Sequence, residues 1–264
     1  MRLSTKLVQI ALLFVSIPAY GQGIAPETVV ARIKELGGSV LMHIEDRSGP
    51  GPSRRTNQVE SVNLSGNLTG DRVGVSDLRL VGTLTSTTHL HLSWTPTTNI
   101  GVYHLYRLTN LKHLSLEDTQ ITDTALEALG GMHKIESLFL KKTQISSSGL
   151  KYLSRMTNLK DLYASETNVG SLARLAQFPK LEKLSLSGTR VGDNDLRHLA
   201  NLPNLEWLFL DDTYITNQGL VHLARCKKLT ILTIRKTWVT KEAANALRHV
   251  LPNCEIKHSR KARP

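Results

Sequence analysis

Cysteine is almost missing from this chain, with two among 264 residues. Two thiols, Cys226 and Cys254, cannot build a disulfide framework, and their spacing fits no zinc pattern. Whether they pair with each other stays open at this stage. Aromatic residues are scarce, at 5%, so the position of each one carries information. Beyond the first 21 residues no run is apolar enough to span a bilayer, so the chain is not expected to be membrane-spanning. No phosphate-binding P-loop, H-E-x-x-H pair or G-x-S-x-G elbow occurs, and no nucleophile stands at a recognisable spacing from a base. These gaps argue against an enzyme, and neither a cofactor nor a metal is expected.

The N-terminus is of a different kind. Arg2 and Lys6 precede the apolar run Leu7 to Ile17, and Ala19 and Gly21 follow as small residues. That order reads as a secretory signal peptide over residues 1–21, cut after Gly21, and it predicts a secreted or periplasmic protein. Without it the chain keeps 31 basic and 22 acidic side chains, a balance of +9. Such an excess favours anionic partners, while export argues against nucleic acid. Much of the charge sits in the tail Lys257 to Pro264, which reads as disordered.

What the sequence has in quantity is repetition. "LEDTQITDTALEAL", Leu116 to Leu129, returns as "LDDTYITNQGLVHL", Leu210 to Leu223. Aligned on its threonine, the chain gives a ladder: Thr95, Thr119, Thr143, Thr167, Thr189, Thr213 and Thr237. The steps are 24, 24, 24, 22, 24 and 24 residues. The unit is L-x-x-L-x-L-x-x-T-x-I-T-D-x-x-L-x-x-L. Its first half alternates like a strand and its second half has helical spacing. Four residues after each threonine come Asn99, Asp123, Ser147, Ser171, Asp193 and Asn217, all types that cap helix N-termini. At the last rung Thr240 is expected to cap instead of Lys241. A second column, Leu108, Met132, Met156, Phe178, Leu202, Cys226 and Val250, is expected in the core.

This pattern resembles leucine-rich repeat proteins, in particular the short-repeat type of secreted bacterial proteins, from about Val59 to Ile256. The resemblance implies an α/β solenoid with a curved parallel sheet on the concave side and short helices on the convex side. Family members usually carry asparagine where threonine stands here. A threonine hydroxyl can do part of that task by bonding the backbone, so the ladder reads as structural. The rung Leu159 to Lys180 is 22 residues long and is similar to internalin repeats; a 3₁₀ turn is expected in it. The implied layout is a signal peptide (1–21), an N-terminal cap and loop (22–58), the repeats (59–252), and a cap strand with the basic tail (253–264). Within the cap, Pro26 to Leu36 reads as a helix, Ser39 to Ile44 as a strand, and Asp46 to Arg55 as a flexible loop.

Strand alternation then assigns the concave face. His89, His91 and His113 cluster there without a carboxylate, and read as solvated residues, not as a metal site. Phe139, Tyr163, Trp207 and Phe209 also fall on this face, with Asp211 and Arg235 beside them. Tyr214 and Trp238 sit on the adjoining turn. These eight residues are the candidate partner-binding set. A protein ligand is the first reading. A glycan or cell-wall polymer on the same aromatics is the alternative, and a hydrolase with a dispersed site is the third. Two charge pairs are expected between rungs: Glu117-Asp118 with Lys141-Lys142, and Asp211-Asp212 with Arg235-Lys236.

Overall fold

The computed structural model describes residues 24–47, 54–66 and 73–260. The signal segment, the centre of the 46–55 loop and the end of the basic tail lie outside the described residues.

Helix α1 (Pro26–Glu35) starts on a proline, whose fixed φ suits a first turn, and buries Val29, Val30 and Ile33. Its Arg32 donates Nε–H to Asp77 Oδ1 at 2.9 Å. Asp77, buried in α2 (Val75–Val81), takes the N–H of Gly74 on its other oxygen. The cap is thereby tied to the first repeat by a charged hydrogen bond. Strands β1 (Ser39–Arg47) and β2 (Arg54–Asn63) form an antiparallel hairpin. Both strands run into the segment expected to be a loop, and the expected boundary after residue 58 falls inside β2.

From β2 onward every pairing is parallel, in one ten-stranded sheet ordered β1 to β10. The strands are β3 (His89–His91), β4 (His113–Ser115), β5 (Ser137–Phe139), β6 (Asp161–Tyr163), β7 (Lys183–Ser185), β8 (Trp207–Phe209), β9 (Ile231–Thr237) and β10 (Glu255–Arg260). Leu90, Leu114, Leu138, Leu162, Leu184, Leu208 and Leu232 stack in register at their centres and are wholly buried. Helices α3 (Asn99–Tyr103), α4 (Asp123–Leu129), α5 (Asp193–Leu196), α6 (Asn217–Leu223) and α7 (Lys241–Val250) cover the other side. The 22-residue rung has its 3₁₀ turn at Leu175–Gln177, as expected. Two further 3₁₀ segments, Gly149–Arg155 and Arg197–Asn201, were not foreseen.

The second core column is buried from Leu108 to Cys226, but Val250 is 45% exposed. Helix α7 is the longest of the repeat helices, at ten residues. Each added helical residue turns the chain by about 100°, so Leu251, not Val250, faces inward, at 3% exposure.

The ladder threonines are buried, and each Oγ1 donates to the carbonyl three residues earlier. Thr119 bonds Leu116, Thr143 bonds Leu140, Thr167 bonds Ala164 and Thr213 bonds Leu210, each at 2.7 Å. Each closes the turn that leaves its own strand. Thr143→Val keeps the shape but leaves the Leu140 carbonyl without this donor, at a cost of about 1–3 kcal/mol. Chemical denaturation against Gln144→Ala, an exposed neighbour, measures it; equal midpoints would remove the ladder's structural role.

The capping column behaves differently from its expected role. Thr122 and Thr216 cap α4 and α6, and Thr240 caps α7. The Asn and Asp residues that follow the capping position reach across to the next rung instead. Asn99 Oδ1 accepts from Thr122 N at 2.8 Å, Asp123 Oδ1 from Ser146 N at 2.7 Å, and Asp193 Oδ1 from Thr216 N at 2.7 Å. Asn217 does the same for Thr240, and Ser147 serves Gly170 and Ser171. Their polar atoms therefore hold rung to rung, while threonine holds the helix start at α4, α6 and α7.

Another column was not visible beforehand. The residue before each ladder threonine has positive φ: Trp94, Asp118, Lys142, Glu166, Gly188, Asp212 and Lys236. Six non-glycine residues in this region each carry strain of about 1 kcal/mol, which the inter-rung hydrogen bonds offset. On the far side of each rung, Lys134, Lys180 and Lys228 each donate to the asparagine one rung earlier: Asn110, Asn158 and Asn204, all at 2.7 Å.

Candidate functional site

The concave face is built by three-residue strands whose first and third side chains point away from the leucine core. Because every strand is in register, these side chains form rows across the sheet, about 4.8 Å apart. In one row Ser137 Oγ donates to Asp161 Oδ2 at 2.7 Å. Lys183 Nζ lies 3.4 Å from the other oxygen, Asp161 Oδ1, and 4.8 Å above the Trp207 ring. Asp161 Oδ1 has no hydrogen bond, but the ammonium at that distance compensates its charge. The row thus runs hydroxyl, carboxylate, ammonium, indole, each contacting the next.

In the neighbouring row Phe139 and Tyr163 stack with centroids 4.8 Å apart and planes 4° from parallel. Burial, then the charge of Asp161, pushes the Tyr163 phenol up. Ser185 follows, shielded to 8% exposure, with its Oγ paired to Ser165 Oγ. Phe209 stands beyond it in register, and then Thr233. Thr233 is 5% exposed, yet its hydroxyl has no hydrogen-bond partner. An unpaired buried hydroxyl costs about 1–3 kcal/mol.

Of the eight candidate residues, Phe139, Tyr163, Trp207 and Phe209 lie on three strands, β5, β6 and β8, and are half-buried, with β7 and its Ser185 between the two pairs. Tyr214 is 61% exposed on the adjoining turn, and Trp238 follows it one rung on, half-buried. Asp211 and Arg235 are neighbours, but their expected ion pair takes another form: Asp211 Oδ1 accepts the main-chain N–H of Arg235. Of the other expected set, Lys142 lies 3.9 Å from Asp118, and Glu166 joins it at 4.0 Å. Sequence alternation overlooked Trp94, Tyr103 and Tyr106, which are 62%, 62% and 51% exposed. They lie on turns and the convex helix α3, where helical spacing around Ile100 and Tyr103 was the available clue.

At the N-terminal end of the face His89 and His113 stack at 4.4 Å. Burial lowers the pKa of His89, and His113 and Lys112 add to that while Glu60 opposes it. Burial also lowers His91. Among the described residues no group of three His, Cys, Asp or Glu could hold a metal ion. Cys226 and Cys254 are free and buried, and burial pushes both thiols up to about 11. Burial thus disfavours the thiolate, the reactive form, in both.

Parallel strands in strict register, one buried leucine column and short helices on one side define a leucine-rich-repeat solenoid. The sequence model of the leucine-rich repeat region matches residues 68–260, and the chain belongs to that family. No curated protein matches the sequence. Among solved structures, an internalin of Listeria monocytogenes is similar with a TM-score of 0.59 and 19% identity, over 75% of this chain and 60% of its own. Internalin C2 of the same species gives 0.51 and 26%, over 71% and 84%. The ectodomain of the plant receptor kinase GASSHO1/SCHENGEN3 from Arabidopsis thaliana, in complex with Casparian strip integrity factor 2, gives 0.55 and 17%, over 77% and 24%. This chain spans 60% of the length of the first of these, and the likeness is one of fold. No helix among the described residues is long and apolar enough to cross a membrane.

Proposed function

We propose that this protein is an exported binding module that grips a protein partner on the C-terminal half of its concave face. Repeat solenoids mostly serve as binding surfaces, and leucine-rich repeats commonly present theirs to other proteins. The observation that carries the reading is the concentration of Phe139, Tyr163, Trp207 and Phe209 on β5, β6 and β8, three of four successive strands, in a chain with few aromatics. Around them Asp161, Lys183, Asp211 and Arg235 form a polar border, with Tyr214 and Trp238 on the adjoining turn. An aromatic centre with a charged rim is the composition of interface hot spots. Phe139 and Tyr163 stack on each other, which leaves fewer free ring faces for a sugar and favours protein over glycan. The Arg2 to Gly21 segment supports export.

The immobilised chain is used to recover partners from medium and envelope fractions, and the recovered protein is titrated. Trp207→Ala with Phe209→Ala is expected to weaken binding at least tenfold, about 1.4 kcal/mol. His91→Ala with Ser115→Ala, on the same face toward the N-terminus, is expected to leave it within twofold. Equal losses would place the energy elsewhere, and unfolding of the aromatic pair would refute the assignment of this face.

A further inference from the structure

Along the convex side the helical segments of successive rungs pack on one another: α3 on α4, α4 on Gly149–Arg155, Leu175–Gln177 on Arg197–Asn201, and α5 on α6. Between Gly149–Arg155 and Leu175–Gln177 that packing thins to almost nothing. The cause is the 22-residue rung, which has three residues of 3₁₀ turn where α4 has seven residues of helix. Gln177 spans the break, its Nε2 donating to Leu150 O at 3.3 Å. A cleft of about 270 Å³ opens between these two rungs, lined by Ser147, Ser148, Lys151, Ser171, Ala173 and Arg174. Its wall carries two cations, three hydroxyls and one methyl, and no carboxylate. Among the described residues neither Lys151 nor Arg174 forms an ion pair. Glu127 holds the matching place one rung before Lys151 and does not pair with it. Lys151 Nζ lies 4.7 Å over the Tyr152 ring, a contact that places the ammonium but accepts none of its hydrogen bonds. Ser147 Oγ accepts Gly170 N–H and Ser171 N–H, both at 2.8 Å. Both its lone pairs are thus taken, and its own proton is left to donate. The hydroxyls of Ser148 and Ser171 likewise have no acceptor among the described residues.

We infer that this cleft binds a phosphoryl group. Five groups with hydrogen to donate line it, and none of them has a carboxylate to meet. A tetrahedral dianion accepts from several directions at once, so it can serve donors on both walls. The planar guanidinium of Arg174 matches two phosphate oxygens, and the Lys151 ammonium adds a compact charge. A carboxylate, with one charge and two coplanar oxygens, would leave part of the wall unmet. The space is below the size of a drug-sized pocket and holds one such group. The chain's excess of basic side chains draws anions toward it. The inference goes beyond the concave-face reading and does not depend on it, because the cleft lies on the opposite side of the solenoid.

Inorganic phosphate is titrated into the isotope-labelled chain at constant ionic strength and followed by amide resonances. Saturable shifts are expected at Ser148, Ser171 and Arg174. Acetate under the same conditions is expected to give none. Arg174→Gln should weaken phosphate at least threefold, and adding Lys151→Gln should abolish its binding. Both side chains are exposed, so these changes should leave the fold intact; should the double variant not fold, Arg174→Gln alone carries the test. Lys241→Gln, the same loss of charge on the last rung, should keep the affinity within twofold. Glycerol phosphate is the second probe. If it shifts the same amides, the cleft takes a phosphoryl group carried by a larger molecule. If only inorganic phosphate does, the ligand is the free ion; either result supports the assignment. Shifts that are absent with both phosphates, equal with acetate, or undiminished in the variants overturn it. The Trp207 and Phe209 pair serves as a separate readout: its loss should leave these shifts unchanged.

Discussion

Phe178→Ala is expected to cost about 3–5 kcal/mol, the usual range for emptying a buried phenylalanine site. Phe178 is fully buried and is the largest such side chain among the described residues. It closes the 22-residue rung, where only the short 3₁₀ turn Leu175–Gln177 covers the core. Little local structure can collapse into the space, so the cavity should persist. In a solenoid each rung touches only its neighbours, and weakening one interface uncouples the two sides. The denaturation curve of the variant should therefore split into two transitions, one for each flank. Phe209→Ala is the comparison: it is the same chemical change on the concave face, where the ring is half-buried. A similar loss at both positions, measured by chemical denaturation, would contradict this account of the core.

Gly219→Ala is expected to cost about 2–4 kcal/mol, although glycine to alanine inside a helix normally stabilises it. The reason lies one rung earlier. A Cβ at Gly219 would sit 2.5 Å from Asp193 Oδ1 and 3.0 Å from Leu196 Cδ1. Asp193 holds the next rung by two bonds, from Thr216 N and Thr216 Oγ1, both at 2.7 Å. Thr216 in turn caps α6 through the N–H of Gln218. The added methyl displaces a carboxylate, two hydrogen bonds and a helix cap together. Gly149 stands in the same relation to Asp123. Adding Asp193→Ala to Gly219→Ala should cost far less than Asp193→Ala alone, because the bonds are already lost. Additive losses in this double-mutant cycle would mean that the aspartate and the glycine do not share one site.

The solenoid was readable because the leucines, the threonines and the 22-residue rung all repeat, and burial acts on every copy alike. The departures come from features that composition does not encode. Aspartate, serine and asparagine at the column of Asp123 are capping types, and they do accept main-chain N–H bonds. Which rung donates depends on how closely the turns stack, and that distance is absent from a linear pattern. Val250 was misplaced because one long helix changed the phase. The left-handed turns were hidden since Lys142, Glu166 and Trp94 are not residue types associated with them; only Gly188, Asp118 and Asp212 gave a hint. On the concave face, alternation gave the direction of Phe139, Tyr163, Trp207 and Phe209. It could not give the shielding of Ser137 and Ser185, which results from large neighbours on adjacent strands.

Acids and bases alternate along the positive-φ column from Asp118 to Lys236, except at Gly188. That alternation and the Asn–Lys bonds on the opposite edge bear on how such a protein can change its length. Excising the single rung of Lys142 would set Asp118 against Glu166 and Asn110 against Asn158. Like charges would meet, and the ammonium that serves Asn110 would be gone. Excising two consecutive rungs, those of Glu166 and Gly188, would instead bring Lys142 beside Asp212 and Lys134 beside Asn204. Both patterns would close again without a flaw. Excision or duplication of paired rungs is therefore expected to cost less than that of a single rung.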